Sequence, residues 1–223
     1  MSSEPPRRRR PGPPPRLSRD LIADAAVAVG FTDLTLASVA ERLSATHAAL
    51  YRHITDRDDL VVAAVERLVS GLPKALESPD WREVLEAATW ALWRMYAENP
   101  GVDQVLCSVP AAREVVVCHT LALVRRLCQV GFDPEFAVLA ADIVVEFARA
   151  SGGTAGLLHA TSAAEVRAVL GRVSADEAEN ELLREVSGAL SLDLRPWAAR
   201  KLAVVLDGIA ANARPTQENT SEK

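Results

Sequence analysis

From Ser18 to about residue 212 the apolar residues recur at intervals of three and four, and the runs that carry this period are separated by Gly and Pro. A chain patterned this way buries its apolar faces by packing helix on helix. No convincing run alternates apolar and polar residues as a half-buried strand does, and there is no internal repeat and no Gly-rich phosphate loop. The expected fold class is therefore all-α, and a length of 223 residues suits a small unit followed by a larger one.

Residues 1–17 combine Pro, Gly and Arg and read as a disordered basic arm, and 214–223 read as a disordered tail. Helical period begins with Leu21, Ile22, Ala25, Ala26 and Val29, with Ser18 placed to cap the helix and Gly30 to end it. Thr35 can cap a short helix through Val39, Ala40 and Leu43. After the Ser44–Ala45 interruption, Thr46 can cap a second short helix through Leu50 to near His53. Thr55 with Asp58 reads as a capping box opening a longer helix to about Ser70. Gly71, Pro73 and Pro79 mark a boundary between a unit at 18–70 and one at 80–213. In the second unit, a helix on Trp81, Leu85, Ala88 and Leu92 ends before Asn99-Pro100-Gly101. Further helices are expected at about 102–107, 111–130, 134–158, 175–190 and 195–212.

Charge and cysteine usage narrow the function classes. The formal net charge is −5, but the first sixty residues carry nine Arg against eight acidic groups, and six of those Arg fall within residues 1–19 with only Glu4 opposing them. A polyanion suits that end of the chain and no other. No uninterrupted apolar run approaches the ~18–20 residues that span a bilayer, and no secretory h-region follows the basic start, so a cytoplasmic protein without a membrane partner is expected. Cys107, Cys118 and Cys128 form no CxxC pair and read as small core residues. Cys118 and His119 are adjacent, hence about 100° apart on a helix, and no second pair completes a ligand set, so neither metal nor cofactor is expected. GxSxG, HExxH, Walker and dinucleotide motifs are all missing, which argues against an enzyme.

Two short helices joined by a tight turn and braced by a preceding helix make a helix-turn-helix, whose second helix enters the major groove. The pattern Leu34-Thr35-x3-Val39-Ala40-x2-Leu43-x-Ala45-x4-Leu50-Tyr51-x-His53-x3-Arg57-x2-Leu60 resembles the N-terminal domain of the tetracycline-repressor (TetR) family over about residues 18–65. More loosely, the Asn99-Pro100-Gly101 break and the helix after Gly131-Phe132-Asp133-Pro134 are similar to that family's regulatory domain.

The resemblance implies a double-stranded DNA partner, in the form of a palindromic operator, with Tyr51 on the DNA backbone and Arg57 on a phosphate. Base reading falls to the start of the recognition helix, at Thr46, His47, Ala48 and Ala49, because that end projects deepest into the groove. Thr35, Arg52 and His53 are further contact candidates. Ala37 stands where some relatives carry a base-reading arginine, and Ser44 replaces the glycine common in the turn, which must then be made without an easy positive φ. Arg7, Arg8, Arg9 and Arg10 either reach a minor groove or serve as a solubilising tail.

For the second unit the resemblance implies a homodimer built on two late helices, with Phe136, Ile143, Trp197, Leu202, Val205 and Ile209 offering apolar faces. Trp90, Trp93, Tyr96, Leu106, His119, Leu123 and Phe147 are candidates to surround a small apolar or amphipathic ligand, each of them also suited to a plain core role. Arg149 and His159 add polar handles. The expected activity is sequence-specific transcriptional regulation, with repression relieved by ligand. A ligand-binding helical scaffold without DNA binding, and a helical enzyme without a recognisable motif, are the alternatives.

Overall fold

The computed structural model describes residues 17–73, 77–160 and 194–213, with the side chains of 157–160 excepted. The basic arm with Arg7, Arg8, Arg9 and Arg10, the expected helix at 175–190, the His159 side chain and the C-terminal tail lie outside the described residues. Among the described residues the chain is all-α. Its helices are α1 (Arg19–Val29), α2 (Leu36–Arg42), α3 (His47–Leu50), α4 (Arg57–Ser70), α5 (Trp81–Glu98), α6 (Val102–Ser108), α7 (Pro110–Gln129), α8 (Pro134–Ala160) and α9 (Leu194–Asn212).

Local chemistry sets most of the ends. Ser18 Oγ accepts from the Leu21 N–H at 3.2 Å to start α1, and Gly30, at φ +91°, stops it. Asp80 caps α5 through the Arg82 N–H at 2.8 Å, Pro110 occupies the first turn of α7, and Asp133 accepts from the Phe136 N–H at 3.0 Å to start α8. At φ +87°, Gly101 makes the sharp step from α5 into α6. A Cβ there would lie 3.0 Å from the Thr32 N and 3.2 Å from the Phe31 carbonyl carbon, so this turn seats directly on the loop between α1 and α2.

Two apolar clusters hold the chain together. One gathers Ile22, Val39, Leu50 and Leu60 from the first four helices, with Ile54 from the segment before α4, and continues without interruption into Met95, Tyr96, Val105, Leu106, Val116 and Ala148. Burial of each large side chain of this kind contributes ~1.5–3 kcal/mol. Thus the cluster crosses the 70/80 boundary, with α4 packed on α7. The other cluster joins Val84, Leu85, Leu127, Ala140, Val144 and Leu206 from α5, α7, α8 and α9 with Phe132 from the turn between α7 and α8. The α5–α8 pair is the most extensive helix contact, and Gly152 and Gly156 bring the two backbones close together.

Several sequence expectations change here. Leu202 and Ile209 are only 2% and 4% exposed inside the second cluster, and Phe136, Trp197 and Val205 are half-buried, so most of the proposed dimer residues face the protomer's own core. Of the proposed set Ile143 does face outward, alongside Val138 and Leu139 on α8 and Val204 on α9, the last 72% exposed. Both helices carry apolar residues on more than one face, and periodicity alone cannot say which face meets the core. Cys107 and Cys118 are exposed and Cys128 is half-buried, contrary to the core role read from sequence. No single described helix is long and apolar enough to cross a membrane.

Candidate nucleic-acid interface

The geometry begins with a reciprocal cap. Thr35 Oγ1 accepts from the Ser38 N–H at 3.0 Å while Ser38 Oγ accepts from the Thr35 N–H at 3.0 Å, which fixes where α2 starts. Its end is a Schellman turn: the Ala45 N–H reaches the Ala40 carbonyl at 2.9 Å and the Ser44 N–H the Glu41 carbonyl at 3.0 Å. That motif demands a left-handed residue, and Ser44 takes φ +50° to supply it. The serine therefore adopts, with strain, the positive φ that a glycine would take easily. Its local strain costs ~1 kcal/mol, which the two closing hydrogen bonds offset.

Thr46 caps α3 by accepting from the Ala49 N–H at 3.2 Å. The helix is a single turn, His47–Leu50, shorter than the expected run to His53. Leu50 is fully buried and Ile54 nearly so, and these two pin both ends of the segment to the core. What remains outward is Thr46, His47 and Ala48, followed by Tyr51 and Arg52, with Ala49 half-buried. More than half of Tyr51 is exposed, although a large ring beside a buried leucine has apolar surface within reach.

Asp56, and not Thr55, caps α4, accepting from the Asp59 N–H at 2.9 Å. The reciprocal bond runs from the Thr55 N–H to Asp59 Oδ2 at 2.8 Å. One residue of register separates this from the Thr55–Asp58 box read in the sequence, since Asp56, Asp58 and Asp59 all offer the needed carboxylate. Arg57 is then the first residue of α4, exposed, with Asp58 at 3.8 Å as its nearest carboxylate. A cation in a first turn opposes the helix dipole, and an anion bound there removes the penalty.

Sequence reasoning missed the role of Arg19. Its guanidinium pairs with Asp59 at 2.7 Å and donates to the His53 carbonyl at 3.4 Å, so one side chain ties α1 to the end of the α3 segment and to the start of α4. This Arg19 hydrogen bond, opposed by partial burial and helped by the Thr55 N–H, holds the Asp59 carboxyl below its ordinary value. The stability this contributes is present above the usual aspartate range and is lost as pH falls through the lowered value. No spacing in the sequence announces a bond between residues forty apart. Arg67 pairs similarly with Asp24, joining α4 to α1.

Thr46, His47, Ala48, Tyr51, Arg52 and Arg57 are thus brought together on one short exposed stretch. The Thr46 hydroxyl hydrogen stays free to donate, whereas the Thr35 hydroxyl donates to Ser38 Oγ at 3.0 Å and His53 is half-buried with its carbonyl engaged.

The seven pocket candidates do not share one cavity. His119 and Leu123 line a cleft between α5, α7 and α8 with Ala87, Ala88, Ala91 and Leu92, whose enclosed part is about 50 Å³. Trp90 lines a groove between α1, α4 and α5, Tyr96 a separate hollow by Arg149, and Leu106 is buried in the first cluster. Phe147 packs on the second cluster. Trp93 meets Trp90 edge to face at 5.7 Å, and its indole N–H is buried without a hydrogen-bond partner. Burial pushes the Tyr96 hydroxyl up to about 12. Arg149 pairs with Asp103 and Glu146, which occupies the charge that sequence offered to a ligand. No group of three His, Cys, Asp or Glu among the described residues is placed to hold a metal ion.

No protein-family model matches the sequence. Among curated proteins, an HTH-type transcriptional regulator of Saccharopolyspora erythraea is 26% identical over 153 residues, 66% of this chain and 62% of the relative. The HTH-type transcriptional repressor DrrR1 of Streptomyces coeruleorubidus is 32% identical over 110 residues, 46% of this chain. The chain spans 62% and 41% of the length of these two relatives. Among solved structures, the Streptomyces coelicolor TetR family protein ActR in complex with actinorhodin superposes with a TM-score of 0.68 at 19% identity, covering 88% of this chain and 97% of that one. This chain has the TetR-family fold. In that fold the Schellman turn at Ser44 is the turn of a helix-turn-helix, and α3 is its second helix.

Proposed function

We propose that the protein is a homodimeric, sequence-specific DNA-binding regulator that acts by binding without turnover in the cytoplasm, as a repressor released by a small ligand. One observation carries this reading: a capped helix-turn-helix presents an outward His47, Ala48, Tyr51 and Arg52 with the exposed Arg57 next to them, within a TetR-family fold. The repressor name of one curated relative and the actinorhodin bound to ActR support the mode of action. In this reading Thr46, His47, Ala48 and Ala49 meet base edges, Tyr51, Arg52 and Arg57 meet phosphates, and Thr35 and His53 hold the frame. Residues 18–70 form the DNA-binding unit and 80–213 the regulatory unit. Selecting duplexes from genomic fragments with the full chain tests it. A palindrome should be enriched, and its affinity should fall steeply with added salt. Enrichment of no sequence, or binding indifferent to salt, refutes the reading.

Two recognition helices must be spaced by one DNA turn, ~34–36 Å, which calls for a two-fold dimer. Val204, with Val138, Leu139 and Ile143, is the apolar surface left outward on α8 and α9, and we place the dimer contact there. Val204→Asp is expected to shift the sedimenting species from dimer to monomer and to abolish binding to the palindrome. Leu202→Ala should instead lower stability by ~2–5 kcal/mol, because that side chain lies in the protomer core.

A further inference from the structure

Two cavities meet at His119. The inner one is the apolar cleft between α5, α7 and α8, lined by Ala87, Ala91, Leu92 and Leu123, with no charged side chain among the described residues of its walls. Its second polar residue, Thr120, already donates to the Val116 carbonyl at 3.0 Å. The outer cleft shares His119 and Ala122 with the inner one and opens between α7 and the end of α4, where Ser70 and Leu72 form one wall. Among the described residues its charged groups are Arg125 and Arg126 on α7 and Glu77 on the connecting segment. Arg126 donates to the Ser78 carbonyl at 2.6 Å and to Gln129 at 3.1 Å, which leaves Arg125 as the cation turned to solvent.

We propose that the ligand is an amphipathic carboxylic acid whose apolar body enters the inner cleft and whose carboxylate passes His119 to rest in the outer cleft beside Arg125 and the last turn of α4. This names the ligand of the regulatory reading above and rests on it. The inner cleft cannot take the acid, because an unpaired carboxylate buried among alanine and leucine carries a penalty of several kcal/mol. In the outer cleft two guanidinium groups outweigh one carboxylate, which favours an anion over an amine. His119 is half-buried, and desolvation lowers its affinity for a proton, so a neutral imidazole with one N–H to donate stands at the junction. The enclosed 50 Å³ is well below the ~300–1,000 Å³ of a ligand-sized pocket, so the body enters only as α5 and α7 move apart.

Head and body then do different work. The body touches α5, α7 and α8 alone, whereas the head sits at the C-terminal end of α4, where the helix dipole disfavours negative charge. Binding there loosens the α4–α7 contact, and α4 begins at Arg57, on the DNA side. An acid should therefore release DNA where an alcohol with the same body only binds.

The test uses the full chain with decanoate and decanol as probes, calorimetry for binding and the selected duplex for release. Decanoate should bind about tenfold tighter than decanol. Arg125→Ala, a surface change that leaves the fold alone, should bring the two within about threefold while decanol binding stays the same. Ala91→Phe, which fills the inner cleft, should weaken both at least tenfold. Equal binding of the two probes, a decanoate preference that survives Arg125→Ala, or decanoate binding indifferent to Ala91→Phe overturns the proposal. The two readings fail separately. Duplex binding that persists without any decanoate preference removes this ligand assignment alone, and a decanoate preference in a chain that binds no duplex supports the assignment while removing the regulator.

Discussion

Gly152→Ala should destabilise the protein by ~2–4 kcal/mol, while the same change one residue later, Gly153→Ala, should stabilise it by up to ~1 kcal/mol. Both glycines lie within α8, where alanine gains ~1 kcal/mol of helix propensity, so propensity alone predicts the same sign for each. Packing separates them. A Cβ on Gly152 would lie 2.5 Å from the Trp93 carbonyl oxygen and 3.0 Å from the Tyr96 Cβ, whereas one on Gly153 meets nothing within 4 Å. The obstacle is α5 backbone and not the tip of a side chain, so relief requires the helices to separate. Gly156, one turn on, repeats the approach at 2.9 Å from the Ala97 carbonyl, which rules out a simple tilt as the way out. Against a total stability of ~5–15 kcal/mol the loss is large, and urea unfolding of the two variants reads it directly. Equal midpoints for the pair would mean that α5 and α8 are not in this close contact.

The second large effect concerns Arg57. Arg57→Ala should weaken binding to every duplex, specific or not, by about 100-fold, because a dimer loses the phosphate contact twice. With two fewer phosphates neutralised, the slope of log affinity against log salt should become shallower by about 1.8. His47→Ala should behave differently, changing which palindrome is preferred at a cost of ~1–3 kcal/mol per site and leaving the salt slope intact. Arg57 is exposed and its nearest carboxylate is 3.8 Å away, so its removal leaves no buried group unpaired and thermal stability should stay close to that of the native chain. A loss confined to the preferred sequence would place Arg57 on a base edge instead.

Helix positions were legible in the sequence wherever punctuation and period agreed. The Ser18 cap, the Gly30 stop, the Asn99-Pro100-Gly101 break and Pro110 all lie within a residue or two of the observed ends. Where several residues could perform one local task, the choice was hidden, as with Asp56 and Asp59 replacing Thr55 and Asp58 at the start of α4. Facing was harder still. Leu202 and Val204 look alike in a periodic pattern, and only the packing of α9 on α8 shows that the first turns inward and the second outward. Tertiary bonds such as Arg19 with Asp59 left no local trace, because neither residue is unusual in its own neighbourhood. The candidate pocket dispersed for the same reason: aromatic residues at helical spacing satisfy several interfaces equally well, and the structure sends Tyr96 into the first cluster and Trp90 and Phe147 against the second.

The apolar cluster that runs from Ile22 and Leu60 into Met95, Leu106 and Val116 limits how this protein can be re-engineered or can diverge. The unit built from α1 to α4 is not an interchangeable module. Transplanted onto another helical unit, it would strand the surface of α4 that α7 now covers, and a foreign first unit placed here would have to reproduce that surface and the Phe31–Thr32 seat that receives Gly101. For the regulator proposed above, new operator preferences are therefore reached more readily by exchanging the few outward residues of α3 than by exchanging domains, and drift in the second unit is held in check wherever it touches the shared core.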